Sequence, residues 1–432
     1  MLNLEFLNLK DAKITLCVSS SISFYKAFEI LSLLKTANAK VRVAMSEQTL
    51  KFCSPLAFEA LSGECVLVGD NKPLAHIEYA KCDLMIIAPA TANTINKIAL
   101  GIADNAMLSC ILACRAPKLI APAANTAMLE NPATQNSLKV LKERGFVVVS
   151  SCEKTLACGD VGKGALASPK DIVLSAARML GTNSRISSIN SRIPSANSRI
   201  SKVIITAGAC YEMIDDVRAI TNLSSGKMGL ALAFAYYLRG FDVTLISSAQ
   251  NLPKSMENLE FLSFKSSAEL LEILKNKKLA KDDLLVMAAA ISDYIPSQKA
   301  KGKIKKSGAN LNLELKENID ILSSLKELKC KKIGFKMEMD EQSALSSAKN
   351  MLENKALDAV CLNVLKAQNY FGSEQNEVLF ITKNSQKMLK MASKHEIAAQ
   401  IARLSENLSK NLSKNLSKNL SENSSENLSE DL

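Results

Sequence analysis

Short apolar, β-rich runs recur along this chain at helix-length intervals, and that rhythm restricts the fold more than any single motif does. Before residue 180 the runs are "KITLCV", "VRVAM", "LMIIAPA", "KLIAPA" and "FVVVS". After residue 200 they are "KVIITAG", "DVTLIS", "LLVMAAA", "KKIGFKM" and "DAVCLNV". Continuous apolar runs separated by crossover-length segments describe strands buried on both faces, hence parallel sheets with helices on either side. Two such series imply an α/β chain with two doubly wound, Rossmann-like parallel-sheet domains. Ligands in these sheets sit beyond the carboxyl ends of the strands, so functional residues are sought there.

Between the two series, residues 181–200 read "GTNSRISSINSRIPSANSRI", with Asn-Ser-Arg-Ile recurring every seven residues. Too polar to build a core and rich in Ser, Asn and Pro, this stretch reads as an extended, solvated linker. The chain closes on a period-four repeat, "ENLSKNLSKNLSKNLSENSSENLSEDL", whose Asn and Ser are poor helix formers. The expected organisation is a domain over 1–180, a linker over 181–200, a second domain over 201–404 and a low-complexity tail over 405–432.

Composition removes several classes. The 11 cysteines are an odd number scattered singly, and two histidines are too few for a zinc site of ordinary spacing. Neither a membrane-length apolar run nor a secretory leader is recognisable, which predicts a cytoplasmic protein. The net charge of +11 falls mainly on the folded parts, since the linker carries +3 and the tail −2. Sparse aromatics, absent Trp and the lack of a recognition motif set nucleic acid aside in favour of anionic, phosphorylated substrates.

Hydroxyl side chains mark the strand ends of the first domain. Ser19, Ser20 and Ser21 follow the first strand, Ser46 the second and Thr91 a later one, together enough to surround a phosphorylated ring. His76 lies in "PLAHIEYAKCDL", where a lone histidine is more often structural; Asn125 ends "PAAN"; and Cys158 sits among glycines in "ACGDVGKGALASP", as on a mobile lid. Over roughly residues 12–180 these motifs resemble the flavin-dependent cysteine decarboxylases, most closely the decarboxylase half of the bacterial bifunctional enzymes that make phosphopantetheine. The resemblance implies an FMN at a subunit interface and hence a homo-oligomer. His76 and Asn125 would flank the substrate carboxylate, and Cys158 would be the proton donor. Ser20 and Ser21 stand where that family usually has Gly-Gly, and the arginine usual in the lid is missing.

In the second domain "TNLSSGKMG" ends like a phosphate-binding P-loop, but Met228 occupies the place where such a loop needs Ser or Thr for magnesium. A helix start after Ser224, Ser225 and Gly226 can still receive an anion. The stretch resembles the phosphopantothenate–cysteine ligase half of the same enzymes. That resemblance implies substrate contacts at Asn222 and Arg218, and phosphate contacts at Ser224, Ser225, Gly226 and Lys227. Ala289 and Ala290 would allow close approach of the nucleotide, Asp293 would take its ribose, and Lys303 would stabilise charge on the acyl-phosphate transition state. Phe335 and Glu338 match the family's next motif, in which Lys336 and Met337 replace alanines. The implied reaction activates the carboxylate of phosphopantothenate with CTP and Mg²⁺ before cysteine attacks; ATP is not excluded by sequence, and the metal ligands are unassigned. The alternative reading is a non-catalytic flavin-binding regulatory or scaffold protein on the same fold, against which the retention of His76, Asn125 and Cys158 counts.

Overall fold

The computed structural model describes residues 7, 9–69, 73–155, 161–190, 200–249, 257–306, 308, 310–365, 372–406 and 408, with backbone alone at 154–155, 161 and 182–190. The chain divides into two compact units, Met1–Ile186 and Ser187–Leu432.

In the first unit β1 (Lys13–Val18), β2 (Lys40–Met45), β3 (Val66–Leu67), β4 (Leu84–Ala90), β5 (Lys118–Pro122) and β6 (Val147–Val148) form one sheet, ordered β3-β2-β1-β4-β5-β6. Every pairing is parallel. All seven residues of β4 are buried, as a central strand covered on both faces must be. The order reverses between β1 and β4, and in open α/β sheets such a switch point, beyond the strands' carboxyl ends, is where ligands bind. Thr91, just past β4, caps the helix Ala92–Leu100 by accepting from Thr94 N.

A separate antiparallel hairpin follows, β7 (Cys152–Thr155) and β8 (Val161–Ala165). It leans on the loop after β5, where Ala124 N donates to Gly164 O at 3.1 Å. Only glycine fits position 164, because a Cβ there would lie 2.0 Å from the Ala124 carbonyl oxygen. The helix Pro169–Asn190 then runs well past residue 180, so the first half of the expected extended linker is helical. Once "PKDIVLSAARML" has nucleated the helix, adding Ser and Asn residues costs little.

The second unit holds β9 (Lys202–Ala207), the β10 (Tyr211–Met213)–β11 (Ala219–Thr221) hairpin, β12 (Asp242–Ser247), β13 (Leu259–Ser263), β14 (Leu284–Met287), the β15 (Tyr294–Pro296)–β16 (Leu315–Glu317) hairpin, β17 (Lys331–Glu338), β18 (Ala359–Val364), β19 (Gln375–Thr382) and β20 (Gln386–Ser393). Its main sheet is ordered β13-β12-β9-β14-β17-β18-β19-β20. The sheet is parallel through β18, and then β19 and β20 pair antiparallel, so it is mixed where a wholly parallel one was expected. β19, paired on both sides, alternates buried and open positions along most of its length, and β20, at the edge of the sheet, has a single buried residue, as antiparallel strands with one wet face do.

The helix Lys227–Leu238 packs on β9 so closely that a Cβ at Gly229 would fall 2.4 Å from the Ala207 Cβ. The helix Lys394–Ser405 begins with a capping box between Ser393 and Glu396 and packs against Lys227–Leu238, where Tyr236 donates its hydroxyl to Ser405 at 2.8 Å. Among the described residues no helix is long and apolar enough to cross a membrane.

Candidate active sites

At the switch point of the first unit the hydroxyls divide into two groups. Ser19 is buried; its Oγ donates to Pro89 O at 2.7 Å and accepts from Thr91 N at 3.0 Å, so it ties the ends of β1 and β4 together. Ser46 is also buried and pairs with Thr49 at 2.9 Å. Ser20, Ser21 and Thr91 are half-buried at the switch point. Ser21 has φ −124 and ψ 147, extended backbone that any residue adopts, so serine replaces glycine there without strain.

Asn125 starts the helix Thr126–Glu130, and its Oδ1 accepts from Ala127 N at 2.9 Å, which fixes the orientation of the amide. Beside it the buried Thr126 hydroxyl has no hydrogen-bond partner among the described residues. That hydroxyl is packed against Gly162 of the hairpin, and it is the rim of half-buried Ser20, Ser21 and Thr91 hydroxyls that suits a polar, phosphorylated ring ligand. His76 lies half-buried on the helix Ala75–Ala80. Cys158 lies outside the described residues, although both strands of its hairpin are within them.

In the second unit a cleft of about 820 Å³ opens at the carboxyl ends of β14, β17 and β18 and at the start of the helix Lys227–Leu238. Asn222, Ser224, Ser225, Gly226, Lys227, Ala289, Ala290, Asp293 and Phe335 all line it. Ala290 N donates to Gly208 O at 2.8 Å and Cys210 N to Ala290 O at 3.1 Å, extending the parallel pairing to the rim. Asn222 bridges to the facing loop, giving Nδ2 to Ile291 O at 3.3 Å and accepting from Ser292 Oγ at 3.2 Å. Gly226 takes the left-handed conformation, φ 71, just before the helix.

Arg218, Lys303 and Glu338 are not among the cleft-lining residues. Arg218, expected at the ligand, grips Asp215 with Nε at 2.9 Å and with Nη2, and also gives Nη2 to Ile304 O at 3.0 Å. The lysine-rich loop is fastened to the same turn: Gly302 N donates to Asp216 Oδ2 at 2.8 Å and Ile304 N to Asp215 Oδ2 at 3.1 Å. Lys303, exposed, stands between those two anchored residues. Glu338 pairs with Lys336, itself in the cleft wall, at 3.1 Å. The Arg218 guanidinium, helped by backbone N–H groups, holds the Asp215 carboxyl well below the usual carboxylate range.

Sequence reasoning missed Lys394 and Asn376, which also line the cleft. Lys394 sits inside the helix-start signal "SKHE", so its motif announces a cap and gives no hint of a cleft. Its nearest charges, Lys227 and Glu374, lie far away in the sequence.

The first unit's sheet and switch point are those of a flavoprotein: residues 5–181 match the Flavoprotein family, and residues 199–408 match the DNA/pantothenate metabolism flavoprotein C-terminal domain. The chain is 37% identical over 410 residues to the coenzyme A biosynthesis bifunctional protein CoaBC of Bacillus subtilis, spanning 92% of this chain and 98% of that protein. To CoaBC of Haemophilus influenzae it is 34% identical over 408 residues, 91% of this chain and 97% of the other. A cysteine/cysteine sulfinic acid decarboxylase from an unidentified prokaryote is 35% identical over 361 residues, 81% of this chain and 98% of the relative. The chain belongs to the CoaBC family of bifunctional coenzyme A biosynthesis enzymes, with a flavin-dependent decarboxylase half and a ligase half.

Proposed function

We propose that the second unit joins cysteine to the carboxylate of phosphopantothenate at the expense of CTP, through an acyl-cytidylate, and that the first decarboxylates the resulting phosphopantothenoylcysteine to phosphopantetheine. The observation that carries the ligase reading is the cleft of about 820 Å³ on which nine of the residues expected at the substrates converge. On this reading Ser224, Ser225, Gly226 and Lys227 receive phosphate at the start of a helix, where backbone N–H groups lack intrahelical partners. Ala289 and Ala290 let the nucleotide approach the backbone, Asp293 takes ribose hydroxyls and Phe335 contributes an apolar wall. Asn222, held by Ile291 and Ser292, contacts the phosphopantothenoyl group. Mg²⁺ arrives with the triphosphate. Lys303 stabilises charge as pyrophosphate leaves, on a loop that Arg218 positions through Asp215 without touching substrate.

In the first unit the flavin, proposed as FMN, supplies a reversible two-electron oxidation of the thiol-bearing carbon, without which the departing carboxylate has no electron sink. Ser20, Ser21 and Thr91 bind it, while Ser19 and Ser46 shape the site. His76 and the fixed amide of Asn125 orient the carboxylate, and Cys158 returns a proton to carbon. The two activities are assigned to residues 1–180 and 201–404, with the helix Pro169–Asn190 carrying on past the first limit, and the proposed compartment is the cytoplasm. Exposed Ile22 (62%), Tyr25 (59%) and Leu56 (70%) on the first unit favour a homo-oligomer that covers them.

The test is to supply purified protein with phosphopantothenate, cysteine, CTP and Mg²⁺ and weigh the products. Phosphopantetheine is expected, and phosphopantothenoylcysteine alone for Cys158→Ser. Failure to ligate refutes the ligase assignment. Release of CO₂ from free cysteine in place of phosphopantothenoylcysteine would move the first unit toward the activity named for its third relative.

A further inference from the structure

Four charged or titratable groups gather where β19 begins and the helix Lys394–Ser405 starts: Lys227, Glu374, Lys394 and His395. The Glu374 carboxylate pairs with the Lys227 ammonium, which also donates to Gly372 O at 3.2 Å. Lys394 is tied to the same place by its backbone N–H, which donates to Glu374 O at 3.0 Å. Both lysines belong to the wall of the ligase cleft, together with Gly372 and Asn376.

The charge balance of this corner is uneven. Glu374 is the acidic member, and its side chain is 81% exposed. It faces three basic groups: Lys227, Lys394 and His395 together draw its carboxyl below the usual range, Lys227 most strongly. Lys394 is half-buried, and its burial and the like charge of Lys227 push its ammonium down against the pull of Glu374. His395 is lowered by burial as well. Two ammoniums on a cleft wall served by one solvated carboxylate leave a partly desolvated cation under-compensated. A multiply charged anion would compensate it better than Glu374 can.

We propose that Lys394 and Lys227 form a phosphate clamp in the wall of the ligase cleft, and that Glu374 is an internal anion that keeps the place until a phosphoryl group displaces it. The clamp's chemistry is phosphate recognition; only the owner of the phosphate, the nucleotide's triphosphate or the phosphoryl end of phosphopantothenate, rests on the ligase reading. Displacement is an exchange of partners with no covalent step. It frees Glu374 to solvent, where most of its surface already lies.

The first measurement is calorimetric binding of inorganic tripolyphosphate to the full-length protein, which needs no turnover. Lys394→Ala is expected to weaken binding about tenfold or more, the scale of a charge-assisted hydrogen bond. Lys394→Arg should restore most of it, and Glu374→Gln should tighten it, since the competing carboxylate is gone. Unchanged binding in Lys394→Ala, or weakened binding in Glu374→Gln, would overturn the clamp. The thermal unfolding of each variant, read beside wild type, reports that the second unit, which carries both positions, is intact, and the Arg variant preserves the test if the Ala variant misfolds.

Steady-state ligation then names the owner. A rise in KM for CTP alone assigns the clamp to the triphosphate, and a rise for phosphopantothenate alone assigns it to the phosphoryl end. Lys394-dependent tripolyphosphate binding without ligation of any substrate pair would uphold the clamp and sink the ligase reading. Ligation with binding and both KM values unmoved in Lys394→Ala would do the reverse.

Discussion

Asp215 ties the turn that carries Arg218 to the loop that carries Lys303. It is fully buried and ionised, and it accepts from Val217 N, from Arg218 N, from the Arg218 guanidinium and from Ile304 N. A buried charge is tolerable only when satisfied in this way, and removing one partner strands the other. Asp215→Asn keeps the shape but loses the charge and one acceptor, so Ile304 and Lys303 should drift. Ligase kcat is expected to fall about tenfold, because loss of positioning costs rate even when the reacting groups remain. The KM for CTP should change less. Because the folded-state pKa of Asp215 is depressed, its stabilisation is present above its unfolded value of about 3.9 and is lost as pH falls through the folded value. Denaturation midpoints of wild type and Asp215→Asn should therefore differ most at neutral pH and converge as acid is added below about pH 4; a constant gap would deny the linkage. No sequence motif conveys this arrangement. Arg218 reads as a free cation four residues before Asn222, and the acid that consumes its charge is identifiable only once the turn between them is folded.

At the scale of elements, most of the sheet was legible because buried parallel strands announce themselves as unbroken apolar runs. "LMIIAPA" is β4, with all its residues buried. What escaped was mostly short or wet, with β19, eight residues long and buried at four of them, the exception. β3 is two residues long, and β20 has a single buried position, so neither rises above its polar surroundings. The helix to Asn190 escaped for another reason, since its apolar start, outside the polar repeat, decides its conformation. The hairpin of β7 and β8 gives the sharpest prediction at this scale. Gly164→Ala would press a methyl against the Ala124 carbonyl, so the hairpin must lift from the loop that carries Asn125. Overpacking of this kind costs about 1–3 kcal/mol where the structure can yield. The expected outcome is decarboxylation reduced at least tenfold with flavin absorbance retained and ligation untouched. Equal loss of both activities would show general misfolding instead.

For the molecule as a whole, the decisive fact is that each main sheet draws all its strands from its own unit. Each unit also has its own buried cluster, one around Met85, Ile87 and Ile120, the other around Ile204, Leu285 and Val360. Separately expressed pieces ending at residue 190 and beginning at residue 200 are therefore expected to fold, and their mixture to convert phosphopantothenate to phosphopantetheine. A mass-spectrometric time course should show the intermediate accumulating before product appears; an inactive first piece would mean that its sheet leans on the second unit.

Sheets that share no strands have a genetic counterpart. Two alleles in one cell, one ruined at Lys303 and the other at Asn125, would each still produce a sound half. The cell should then grow without supplied pantetheine although neither allele alone supports it. The locus would score as two complementation groups inside one reading frame.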